Sequence, residues 1–173
     1  MPVRLDTADA FLCVLSALAL LYALYHAIRE RLQSGAIKRL RDDARLLRNS
    51  LVNNEDLDPD VRQLLMRFNP SRIVASDSIE TINKRNIYVC VEPDTRASDA
   101  ENHAIMLFSL IHEMAHVMTP EYGHGSNFWQ NFDVLLARAH QIGLYDRDVL
   151  NAALRRSPAF QLCDHRVTTA YLP

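Results

Sequence analysis

Glycine is scarce in this chain, four residues in 173, and no stretch repeats itself or narrows to a few residue types. That scarcity excludes collagen-like and low-complexity architectures and leaves an ordinary globular composition. Charge of one sign is lacking as well: 19 Lys and Arg against 21 Asp and Glu give a formal net charge of −2. From Glu101 onward there is no lysine, and five arginines face seven acidic residues. Such a balance gives no general electrostatic pull towards nucleic acid. Cysteine is limited to Cys13, Cys90 and Cys163, with no C-x-x-C spacing. An odd, sparse set argues against a disulfide framework and predicts reduced thiols in a cytosolic-type compartment. A length of 173 residues suits one compact domain with one or two appendages.

One long hydrophobic run is present. Ala10 to Ile28 is a stretch of 19 residues without Asp, Glu, Lys or Arg. As a helix it would measure roughly 28 Å, close to the ~30 Å of a bilayer's hydrocarbon layer. Tyr22, Tyr25 and His26 near its end suit an interfacial belt. A cleavable signal peptide would have a shorter apolar stretch and a basic lead. Here Arg4 is offset by Asp6 and Asp9, and the run leads into Arg29-Glu30-Arg31. An interfacial helix would need a polar face, which is missing. The run is only just long enough, so a buried helix of a soluble protein competes; the reading is a short tail (residues 1–9) followed by a single transmembrane anchor (residues 10–28). Arg4 alone precedes the run, whereas Arg29, Arg31, Lys38, Arg39, Arg41, Arg45 and Arg48 follow it. The positive-inside bias then places the remainder on the cytosolic side.

Beyond the anchor, Ile37, Leu40, Ala44, Leu47 and Leu51 recur at spacings of three and four among charged residues. They predict a basic, amphipathic juxtamembrane helix over residues 29–54. Asp58-Pro59 reads as the start of a short helix that Asn69-Pro70 stops, with Val61, Leu64, Leu65 and Phe68 on its buried face. Two strands are expected, Arg72–Ala75 and Asn86–Val91, with residues 83–86 a turn or an irregular lead-in. Ser98-Asp99-Ala100-Glu101 has capping-box form and opens an apolar helix reaching about Thr119, just before Pro120. Ser126 is placed to cap a further helix bearing Phe128, Trp129, Phe132, Leu135, Leu136 and Ala139, which ends at Gly143. The class is α+β with helices dominating.

The chemistry concentrates in His112-Glu113-Met114-Ala115-His116. Two histidines four residues apart share one helix face and can converge on a zinc ion. Glu113, beside the first, can reach a metal-bound water without being a ligand. These polar groups interrupt an otherwise apolar helix, where burial without partners would be costly and a metal would satisfy them together. A catalytic zinc needs a third protein ligand. Glu121 is the only glutamate after His116, so a helix-borne downstream glutamate is excluded, and no H-E-x-x-H-x-x-G-x-x-H pattern exists. His124, between Gly123 and Gly125 and eight residues past His116, is the expected third ligand; Asp133 and His140 are the alternatives.

His-Glu-x-x-His, a short loop, His124-Gly125 and then Asn127-Phe128-Trp129 resemble the WLM and SprT-like zinc metallopeptidases. The resemblance covers roughly residues 70 to 145. It implies a helix-dominated zincin-like domain over residues 55–173, zinc held by His112, His116 and His124, and Glu113 as general base. It further implies that the strand Ile87–Val91 could present an edge to an extended protein or peptide substrate. Family members are associated with proteolysis of proteins crosslinked to DNA, which leaves DNA-linked protein substrates open although charge speaks against nucleic-acid binding.

The expected reaction is peptide hydrolysis, with Glu113 taking a proton from zinc-activated water and passing it to the leaving amine. Tyr122 is one candidate for oxyanion help. His103, nine residues before His112, is read as non-catalytic, and Cys163-Asp164-His165 as a structural tail with latent metal-ligand character. The rival reading is a zinc-stabilised, catalytically inactive, membrane-tethered interaction module. An intact Glu113 favours the enzyme.

Overall fold

The computed structural model describes residues 7–55, 57–91, 97–156, 159–162 and 165–168. The chain divides into two units, Met1–Gly35 and Ala36–Pro173. One helix, α1 (Thr7–Val52), contributes to both. The hydrophobic run and the amphipathic stretch after it are thus consecutive parts of a single 46-residue helix, with no breaker between them.

In the first unit the apolar side chains of α1 point outward: Leu20, Tyr22 and Leu21 expose 71, 67 and 63% of their surface. Exposed apolar area of this extent is unfavourable in water at ~25 cal/mol per Å². By length and composition this helix could cross a membrane.

In the second unit the stripe read from the sequence is buried. Ile37, Leu40, Ala44, Leu47 and Leu51 all join the core. The polar neighbours of that stripe add directional ties. Arg41 donates through Nε and Nη2 to the Ile73 carbonyl at 2.9 and 2.7 Å. Arg48 donates to the Leu65 and Met66 carbonyls at 2.9 and 2.8 Å. Two of the basic residues that bias topology are therefore also structural.

Helix α2 (Pro59–Arg67) starts as expected, with Asp58 accepting from the amides of Asp60 and Val61 and proline at the first turn. A 3-10 turn over Pro70–Arg72 follows, so Arg72 is not a strand residue. Strands β1 (Ile73–Ala75), β2 (Glu80–Ile82) and β3 (Asn86–Val89) form one sheet in the order β1-β3-β2, β1 parallel and β2 antiparallel to β3. Residues 83–86 include the β2–β3 turn: Asn83 and Lys84 both have positive φ (52° and 53°), and the Arg85 amide donates to the Ile82 carbonyl at 3.2 Å. Three residues, 83–85, thus join the paired Ile82 and Asn86 in a tight hairpin. Two corrections follow. β2 was not anticipated, and its presence puts β3 in the middle of the sheet. Ile87–Val91 therefore cannot offer an edge, because β1 and β2 occupy both sides of it, and Cys90 and Val91 lie beyond the strand.

Helix α3 (Asp99–Met118) carries the full capping box: Ser98 Oγ accepts from the Glu101 amide and the Glu101 carboxylate accepts from the Ser98 amide. It is buried along almost its whole length, against α2, α4, α5, β2 and β3. Helix α4 (Ser126–Gln141) packs beside it, Phe108 and Phe132 meeting edge to face at 5.4 Å. Gly125, not Ser126, is its N-cap, and Ser126 is already helical. Its end matches expectation, with Gly143 at φ 73° just past the C-cap. Helix α5 (Arg147–Arg156) and the antiparallel pair β4 (Ala159–Leu162) and β5 (His165–Thr168) complete the described chain. His165 lies on β5, while Cys163 and Asp164 fall outside the described residues.

The cysteines depart from expectation. Cys13 is free and exposed, but Cys90 is fully buried and disulfide-bonded.

Candidate metal centre

Burial of α3 fixes where His112 and His116 can stand. His112 and His116 lie one turn apart on the flank of this helix that faces the loop to α4, and both are half-buried while Met114 and Ala115 are in the core. The helix stops at Met118, with Thr119 extended and Pro120 next. The loop then doubles back, Gly123 taking φ 85° where a side chain would be strained. His124 returns over the helix. Its ring centroid is 5.0 Å from that of His112 and 4.8 Å from that of His116, which are 5.2 Å from each other.

One donor atom from each ring lies within 4.8 Å of the others. The Nε2 atoms of His124 and His112 are 3.1 Å apart. Two imidazole nitrogens on a tetrahedral zinc with bonds of ~2.05 Å would stand about 3.3 Å apart. The His112–His124 pair stands close to that spacing, and the three rings together could hold a metal ion. A hydrogen bond alone would join two of the rings and would not account for the third.

Electrostatics agree with the geometry. Burial, then the neighbouring His116 and His124, press the pKa of His112 down to about 3. Burial, then His124 and Lys84, press that of His116 down to about 4. Both imidazoles are neutral at physiological pH, the state in which a ring nitrogen offers a lone pair. Glu113 is 4% exposed, and burial raises its pKa to about 7 against the opposing hydrogen bond of Thr81. A carboxyl so poised can both take and return a proton near neutrality.

The floor of the site is aromatic. The Phe128 ring lies 4.9, 4.5 and 4.5 Å from those of His112, His116 and His124, and Trp129 stacks on His124 at 5.8 Å. Thr81 of β2 donates from Oγ1 to the Glu113 carbonyl at 3.1 Å, tying the sheet to the helix. From α4, Asn131 donates to the Met118 carbonyl and to Thr119 Oγ1, and Asn127 to the Glu121 carboxylate at 2.8 Å.

Among the described residues the three histidines form the one group of metal-type donors. Asp133 and His140 sit on the exposed face of α4, with His140 Nδ1 3.5 Å from the Tyr145 carbonyl. His103 faces the other way, buried with its Nε2 2.9 Å from Asp43 of α1. Tyr122 is 88% exposed on the loop. Sequence reasoning did not single out Thr81 or Lys84, whose parts depend on the hairpin, nor the floor-forming part of Phe128. The last had a local signal, an aromatic residue four positions beyond a loop histidine in a helix's first turn.

No protein-family model matches the chain, and no solved structure matches it. Uncharacterized protein 136R of invertebrate iridescent virus 6 is 40% identical over 68 residues, 38% of each chain. Uncharacterized protein 042R of invertebrate iridescent virus 3 is 34% identical over 79 residues, 46% of this chain and 49% of its own. The chain thus spans less than half the length of these curated relatives.

Proposed function

We propose that the protein is a zinc-dependent metalloendopeptidase of the zincin type, similar to the WLM and SprT-like peptidases, acting on protein or peptide substrates. The observation that carries this reading is the convergence of three imidazoles beside a buried carboxyl on the adjoining helix position. A zinc ion held there would supply a Lewis acid at neutral pH. His112, His116 and His124 would hold it, with the Phe128 ring packed against all three. Glu113 takes a proton from the attacking water at its carboxylate and delivers it to the leaving amine. An extended substrate would align along β2, which is the outer strand and is hydrogen-bonded to the Glu113 residue through Thr81. Among the described residues no fourth donor joins the three, which leaves room for substrate and favours an enzyme over an inert zinc-stabilised module.

The N-terminal helix anchors the protein in a membrane, single-pass. Its basic C-terminal flank places the metal-bearing unit on the cytosolic side. The disulfide at Cys90 speaks for an oxidising compartment instead, but the Cys90 side of it is fully buried. The proposal therefore follows the basic flank.

The test is zinc content and casein hydrolysis by the detergent-solubilised chain, wild type against Glu113→Gln. One zinc in both, with kcat reduced by roughly 10²- to 10⁴-fold in the variant, is expected. A wild type without bound zinc would refute the reading, and equal zinc with no hydrolysis by either protein would favour the interaction module.

A further inference from the structure

The loop that brings His124 to the site is exposed from Pro120 to Ser126 and has little packing of its own. Asn127 and Asn131 grip it from α4. On the opposite side one residue reaches it, from the turn between β2 and β3. Lys84, in the left-handed conformation, projects its Nζ onto the carbonyls of Thr119 and of Glu121, the latter at 2.7 Å. The same ammonium lies 5.0 Å from the centre of the Tyr122 ring. Each direction of the group is thereby used. An ammonium has three donors and no acceptor, so two carbonyls and an aromatic face suit it. The Thr119 carbonyl closes the C-terminal end of α3, where the helix dipole favours a cation.

We propose that Lys84 is a positioning residue of the metal site: it clamps the Thr119–Tyr122 segment to the hairpin and so fixes the loop that presents His124 to His112 and His116. The assignment rests on the zinc reading for its consequence, not for its geometry. A rival account is that Lys84 is merely a positive charge near a cation site. The two accounts differ in sign. A bystander charge repels a divalent ion, so removing it would tighten zinc binding. A clamp that preorganises the third ligand has the opposite effect, since supporting groups of this kind change metal affinity by roughly 10- to 100-fold.

The experiment uses the full chain in detergent as wild type, Lys84→Met and Lys84→Arg. Zinc dissociation constants are measured by chelator competition, and amide hydrogen exchange across residues 119–125 is measured in the metal-free proteins. Lys84→Met is expected to weaken zinc roughly 10- to 100-fold and to speed exchange in that segment. Lys84→Arg, which keeps charge and donors, is expected to recover most of both. Zinc binding that is unchanged or tighter in Lys84→Met overturns the proposal, as does unchanged loop exchange or an equal acceleration throughout the domain. Should the wild type bind no zinc, the peptidase reading falls. The clamp is then decided by exchange alone: acceleration confined to 119–125 upholds it, and none overturns it.

Discussion

Three titratable side chains in one small volume, His112, His116 and Glu113, have pKa values pushed in opposite directions by the same burial. Their effects on folding can be separated by sign. The histidines, held at about 3 and about 4 against an ordinary 6.5, stabilise the metal-free fold fully above 6.5 and cease to do so as pH falls through 4 and 3. Glu113, raised from 4.5 to about 7, contributes fully below 4.5 and its contribution is lost as pH rises through 7. On these groups alone the chelator-treated protein is most stable at about pH 7. Glu113→Gln, which mimics the neutral acid, should leave stability almost unchanged at pH 4. It should raise stability by something on the order of 3 kcal/mol above pH 8. Denaturant midpoints across that range would show it, and parallel curves for the two proteins would contradict the assigned environment of Glu113.

Residues also differ in how far they could be read in advance. His112, Glu113 and His116 announce themselves by spacing, and His124 by elimination and its two glycines. Lys84 gave no signal. Its role depends on two backbone carbonyls 35 and 37 positions further on, and no local pattern encodes that. His103 stands away from the three histidines, and its partner Asp43 lies on α1, out of sight of any local reading.

Helix α3 carries the site, and its ends are encoded locally. The Ser98–Glu101 box starts it and Pro120 stops it, so both boundaries were legible. Ser98→Ala should cost about 1 kcal/mol through loss of the cap, while Leu110→Ala, fully buried at mid-helix, should cost roughly 2–5 kcal/mol. Neither is one of the three histidines, so thermal midpoints should fall with zinc stoichiometry intact. Strand β2 was one of the elements missed, along with α5, β4 and β5. It has three residues, Glu80, Thr81 and Ile82, with only Thr81 half-buried, and it exists because β3 offers a partner. Which strand lies central in a sheet is a property of pairing, and pairing between short segments leaves little trace in either one. The same applies to Gly125 displacing Ser126 as N-cap: the backbone conformation of the returning loop decided, not side-chain preference.

At the scale of the whole chain the N-terminal helix dominates behaviour in solution. Its composition was plain in the sequence, and so were the basic residues after it. Full-length protein should enter the detergent-rich phase on Triton X-114 separation and resist extraction from membranes by alkaline carbonate, whereas a chain beginning at Ala36 should remain aqueous. A full-length chain found in the aqueous phase would argue that these side chains pack on protein instead. The free Cys13 and the bonded Cys90 lie in different units, so thiol labelling before and after reduction distinguishes them.

The order in which α1 finds its partners has a consequence for biosynthesis. Arg41 waits 32 residues for the Ile73 carbonyl, and the Ser50 carbonyl waits 88 for Arg138. The ribosome thus releases the apolar half of α1 first and the residues that tie down its other half much later. During that interval the stripe from Ile37 to Leu51 is apolar surface without a cover, next to a segment long and apolar enough to cross a membrane. Were that segment to enter a bilayer early, it would hold the nascent chain apart from its neighbours until α3 and α4 emerge, guarding the fold before it is complete.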